Sequence, residues 1–119
     1  MKTRYFILSV LFAFASINLS QAQSTSSSVV KDTVKVWGEC GMCKKTIEKA
    51  AMEAGASSAS WNTETKTLQL SYKNGKTDLV KIQQAVAASG YDTKDYTADN
   101  EAYDKLHECC KYERKTAKQ

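Results

Sequence analysis

The feature that most constrains this chain is a change of hydrophobic period across one short loop. Asp32 to Trp37 alternates polar and apolar residues, with Val34 and Val36 separated by Lys35, the pattern of a half-buried strand. From Cys43 the period changes: Ile47, Ala50, Ala51 and Ala54 recur at helical spacing, and Gly55 stops the run. The loop between holds a C-x-x-C pair, Cys40 and Cys43, with Gly41 and Met42 inside it. If Cys43 opens the helix, both sulfurs sit near its N-terminus, where unpaired N–H groups and the helix dipole favour a thiolate. Thiolate binds soft metals and also attacks disulfides, so the pair has two candidate jobs.

The remaining pattern predicts a small mixed fold. Ser57 to Asn62 reads as a weak strand carrying Ala59 and Trp61, Asn62 to Lys66 as a polar turn, and Thr67 to Tyr72 as a strand with Leu68, Leu70 and Tyr72 on one face. Asn74-Gly75 is a turn signal. A second helix is expected from Thr77, capped by its hydroxyl, with Leu79, Ile82 and Val86 as the buried stripe and Ser89-Gly90 as its end. Tyr91 to Tyr96 reads as a last strand. The order β-α-β-β-α-β is the split βαβ or ferredoxin-like arrangement, α+β, with an antiparallel sheet and both helices on one face. Ala98 to Arg114 carries Ala102, Tyr103, Leu106, Cys109 and Cys110 at helical spacing after Asp99, which predicts a short third helix.

The ends carry separate signals. Lys2 and Arg4 precede an apolar run from Tyr5 to Ile17, and Ser20-Gln21-Ala22 offers small residues for cleavage, the plan of a secretory signal peptide over 1–22. Export to a periplasm or beyond is therefore expected, with 23–31 as a flexible, Ser-rich leader, 32–97 as the folded domain and 98–119 as a helical tail. Removing Lys2 and Arg4 from 17 basic residues leaves 15 against 13 acids, about +2, which gives no reason to invoke nucleic acid. All four cysteines fall after the signal, as two close pairs, Cys40/Cys43 and Cys109/Cys110. Such spacing looks more like halves of a ligand set than staples across long loops.

The string V-x-V-x-G-x-C-x-x-C-x-x-x-I-E-K-A, followed by a hairpin, a second helix and Gly90-Tyr91, resembles the heavy-metal-associated domain family over about Thr33 to Tyr96. That family includes copper chaperones, the N-terminal modules of copper-pumping ATPases and the periplasmic mercury-binding protein. The resemblance implies Cys40 and Cys43 as ligands of a soft ion. It also implies Gly38, Gly41 and Lys44 beside them, and Tyr91 as the aromatic that packs by the metal loop. The family's usual G-M-x-C is one residue longer than Gly38-Glu39-Cys40, and Met falls inside the pair instead. Met42 is then either a thioether ligand or a plug under the loop. Lys44 either offsets the charge of a bis-thiolate or lies on a solvated helix face.

The tail pair admits a composite site. A helix from Asp99 to Cys110 would run about 12 residues at about 1.5 Å each, about 18 Å, enough to retrace a strand and return Cys109 and Cys110 to the level of Cys40 and Cys43. His107 is a further candidate ligand or an ordinary surface histidine. Tyr103, Leu106 and Tyr112 are expected to dock the tail. Without that return, the tail pair would be a second transfer site, a partner contact or buried small hydrophobes.

These readings converge on an exported, non-enzymatic metal-ion binder. It would take Cu(I) first, with Hg(II), Zn(II) or Cd(II) as alternatives, and pass it to a metal-transporting membrane protein or another metal-binding protein, with a metal-bridged dimer as a further option. No Ser/His/Asp set or phosphate loop is present. A thiol–disulfide oxidoreductase and a non-metal interaction module are the competing classes; the absence of proline, hence of the cis-Pro of thioredoxin-like sites, weighs against the first.

Overall fold

A computed structural model describes residues 28–115. The expected signal peptide and most of the leader lie outside the described residues. No helix among the described residues is long and apolar enough to cross a membrane.

The elements are β1 (Val29–Lys35), α1 (Gly41–Glu53), β2 (Ser58–Trp61), β3 (Thr67–Lys73), α2 (Leu79–Ala88) and α3 (Asn100–Asp104), then a 3₁₀ turn, Glu108–Cys110. The strands form an antiparallel sheet in the order β1-β3-β2, the ferredoxin-like frame. Val34 lies opposite Leu68 and Val30 opposite Tyr72, so the alternating side chains of the two strands share one face. On that face Val34, Leu68, Leu70 and Tyr72 pack into one core with Ile47, Ala50 and Ala51 of α1 and Ile82 and Val86 of α2. Each large apolar side chain fully buried there contributes about 1.5–3 kcal/mol.

Several boundaries depart from the sequence pattern. β1 begins at Val29, inside the stretch read as a leader, because β3 extends to Lys73 and gives Val29 and Val30 partners. α2 is capped by Asp78, whose carboxylate accepts from the Lys81 N–H at 2.8 Å. The Thr77 hydroxyl, expected as that cap, instead donates to the Ala54 carbonyl at the end of α1.

The expected fourth strand shrinks to a single antiparallel bridge, Val36 with Thr93. Two hydrogen bonds flank it, Trp37 N–H to the Asp92 carbonyl and Lys94 N–H to the Lys35 carbonyl, both 2.9 Å. Beyond Lys94 the chain curls away. Thr93 N–H closes a turn on the Tyr96 carbonyl, and Asp95 is drawn to α2 by a reciprocal pair of hydrogen bonds with the Gln83 amide.

The tail is not one helix. α3 lasts five residues, and His107 is extended before the 3₁₀ turn. A continuous helix would hold Tyr103 and Tyr112 about 13 Å apart along its axis, whereas their ring centroids meet edge-to-face at 5.1 Å. Aromatic contact outweighs helical continuity, and the chain doubles back. Tyr112 then stacks on Tyr91 at 5.7 Å, accepts from the Asp92 N–H and donates to the Gly90 carbonyl, both at 2.8 Å. Arg114 pairs with the buried Asp92 at 2.8 Å. Gly90 has φ +106°, and a Cβ there would lie 2.9 Å from the Ala102 carbonyl, so only glycine lets α3 come this close.

Candidate metal centre

The thiol loop is set from beneath by Trp61. Its indole N–H donates to the Val36 carbonyl at 3.0 Å, which brings the ring under Gly38. A Cβ at Gly38 would meet that ring at 2.9 Å. Glu48 on α1 accepts from the Trp61 N–H at 2.9 Å and pairs with Lys44, which also donates to the Trp61 carbonyl. Lys44 is thus neither a free counter-charge for the sulfurs nor a purely solvated side chain; it ties α1 to β2.

Cys40, not Cys43, is the N-cap of α1, and the helix opens at Gly41. A backbone turning from extended to helical at Cys40 brings the N–H groups of Cys43 and Met42 to its sulfur. Those donors, Cys43 first, hold the Cys40 thiol below the ordinary cysteine range. Cys43 Sγ lies 3.9 Å from Cys40 Sγ and is fully buried, while Cys40 is partly exposed. Gly41 has open space where a Cβ would be, so its smallness is not required by packing.

The tail delivers a third sulfur. Cys40, Cys43 and Cys110 have Sγ atoms all within 4.8 Å of one another, and no other His, Cys, Asp or Glu among the described residues joins them. Burial pushes the Cys110 thiol up to about 12, with Cys43 beside it adding to the effect. Tyr91 faces the same sulfurs. Burial first, then Cys110 and Cys43, raises its phenol and keeps it protonated.

The other candidates fall outside this triangle. Cys109 is exposed, with Sγ 4.0 Å from Cys110 Sγ and 3.7 Å from Met42 Sδ, and its carbonyl accepts from the Cys40 thiol at 3.4 Å. Met42 is 48% exposed and does not plug the loop. His107 is exposed, and its backbone carbonyl, not its ring, is engaged, accepting from Cys110 N–H. All four cysteines carry free thiols. The residues sequence reasoning passed over are Asp92 and Arg114, which lock the tail. Their only signal was one more carboxylate and one more guanidinium in polar surroundings.

No curated protein sequence matches the chain. Among solved structures it is similar to the CopZ metallochaperone, at 29% identity and TM-score 0.51, over 54% of this chain and 98% of that one. Oxidized MerP from Ralstonia metallidurans CH34 aligns at 28% identity and TM-score 0.53, over 56% and 96% respectively. The N-terminal domain of a potential copper-translocating P-type ATPase from Bacillus subtilis, in a Cu(I)-loaded state, aligns at 25% and TM-score 0.53, over 56% and 86%. The profile of the heavy-metal-associated domain matches residues 33–92, from within β1 through both helices to the buried Asp92. With that match spanning half its length and the thiol pair at the head of α1, the chain belongs to the heavy-metal-associated domain family.

Proposed function

We propose that the protein is an exported carrier that binds a soft metal ion through Cys40 and Cys43 and passes it on by ligand exchange. The observation that carries this reading is the thiol pair itself. The two sulfurs lie 3.9 Å apart at the head of a helix whose N–H groups favour the Cys40 thiolate. The names of the similar structures, a metallochaperone and a copper-translocating ATPase domain, support Cu(I) as the first candidate cargo. Hg(II), Zn(II) and Cd(II) also suit thiolates, and availability would choose among them.

The asymmetry of the pair suits transfer. Cys43 holds the ion from the buried side, while Cys40 stands at the rim where an incoming thiolate can reach the ion. The acceptor would be a metal-transporting membrane protein or a second metal-binding domain, reached after signal cleavage near Ala22, in a periplasm or outside the cell. The Cys40 thiolate could also attack a disulfide, but membership of a metal-binding domain family favours a carrier over a thiol oxidoreductase.

Anaerobic titration of the reduced mature protein with Cu(I), Zn(II) and Hg(II) tests the reading. Tight binding is expected in the wild type and its loss in Cys40→Ser/Cys43→Ser. Equal binding by the two proteins would place the site elsewhere, and no binding by the wild type would end the proposal.

A further inference from the structure

We infer that Cys110 is a third ligand, so that the cargo is held by three sulfurs on two separate chain segments; this rests on the carrier reading above and specifies its site. Metal–sulfur bonds of about 2.3 Å put two sulfurs about 4.6 Å apart across a linear ion and three sulfurs about 4.0 Å apart around a planar one. Cys40 and Cys43 stand at 3.9 Å, a thiol contact that also fits the three-sulfur spacing. Cys110 Sγ is within 4.8 Å of both, so closing the triangle takes a shift of less than an ångström.

The tail is built to hold Cys110 there. Two residues along, Tyr112 is fixed by two 2.8 Å hydrogen bonds and by stacking on Tyr91. The Tyr103 hydroxyl donates to the Tyr112 carbonyl at 2.8 Å, and Arg114 is locked to Asp92. Cys110 is 2% exposed, yet the nearest sulfur on its own segment, that of Cys109, is 4.0 Å away and belongs to an exposed residue. Cys110 packs in the same core cluster as Cys43, and its sulfur, from a separate segment, meets both loop sulfurs at one point, the donor arrangement of a soft-metal site. Cys109 lies outside the triangle and is not a ligand in this assignment.

The third sulfur changes how the cargo leaves. A two-sulfur ion accepts a partner's thiolate by adding it, whereas a three-sulfur ion must first lose Cys110 or crowd to four. The site should therefore retain its ion more firmly and release it more slowly than Cys40 and Cys43 would alone. Binding displaces one proton from each thiol that is still protonated, and no oxidant or reductant is involved.

The test is X-ray absorption on the Cu(I)- and Hg(II)-loaded mature protein, with affinity and off-rate measured by competition against a small dithiol. Three sulfur neighbours are expected in the wild type and in Cys109→Ala, and two in Cys110→Ala. Affinity in Cys110→Ala should fall by at least the roughly 10- to 100-fold that loss of an outer-shell partner costs, with faster loss to the dithiol. Near-UV circular dichroism of the tyrosine cluster checks that the variant keeps its fold, with Cys110→Ser as the second version; the wild-type sulfur count stands without either. Two sulfurs in the wild type, or a third lost with Cys109→Ala and kept with Cys110→Ala, would overturn the assignment while leaving the carrier intact. A wild type that binds no ion would overturn both, so whether the wild type loads at all separates the two failures.

Discussion

At the scale of single residues, the two glycines flanking Cys40 do different work. Gly38 is small because the Trp61 ring occupies the place of its Cβ, at 2.9 Å, with Ile47 Cδ1 at 3.1 Å. Gly38→Ala should therefore lower stability by about 1–3 kcal/mol through overpacking, seen as an earlier thermal transition of the metal-free protein. Gly41 has nothing within 4 Å of the place a methyl would take, and it lies in the first turn of α1. Gly41→Ala should leave the structure unchanged and raise stability by up to about 1 kcal/mol; a fall of that size would mean that the loop needs glycine's freedom after all. Tyr112→Phe removes a hydroxyl that serves both the Asp92 N–H and the Gly90 carbonyl. Both groups would be left buried and unpaired, a loss of about 1–3 kcal/mol by chemical denaturation.

At the scale of elements, the tail is held by an electrostatic lock more than by helix propensity. Burial alone would raise the Asp92 carboxyl, but Arg114 and the N–H groups of Ala98 and Lys115 outweigh it and hold the group below the ordinary carboxylate range. A carboxyl depressed in the folded state adds stability that is fully present above the unfolded value of about 3.9 and lost as pH falls through the folded value. Acid should thus loosen the tail below about pH 4. Amide signals of residues 98–115 should weaken in that window before those of β1 and β3. Arg114→Ala should cost about 3 kcal/mol, because it leaves the Asp92 charge buried without its cation, and should move the acid loosening to higher pH. Coincident loss of tail and core signals at every pH would show that the lock stabilises the whole domain and not the tail in particular.

At the scale of the whole molecule, the tail closes the end of the domain that carries the thiol loop. Its removal after Thr97 uncovers Tyr91 and Asp92 and takes away Cys110 and Tyr112, all buried. The truncated chain should still fold around the Val34, Leu68 and Ile82 core, with a midpoint lower by roughly 10–20 °C for a loss on the order of 3 kcal/mol. Most of the domain was legible in the sequence because its elements are specified locally: alternation marks β1 and β3, helical spacing marks α1 and α2, and Gly55 and Gly90 end the helices. The pairing of Cys40 with Cys43 was equally legible, since three residues across a helix start confine the sulfurs to neighbouring positions. What the tertiary structure alone decided depends on distant partners. The single bridge at Thr93 in place of a fourth strand follows from Gln83 drawing Asp95 away. The broken tail follows from Tyr103 meeting Tyr112. Which of the adjacent Cys109 and Cys110 turns inward is set by the direction in which that broken tail docks. A one-residue choice of this kind has no local signature, because neighbouring cysteines carry the same chemistry until packing buries one of them.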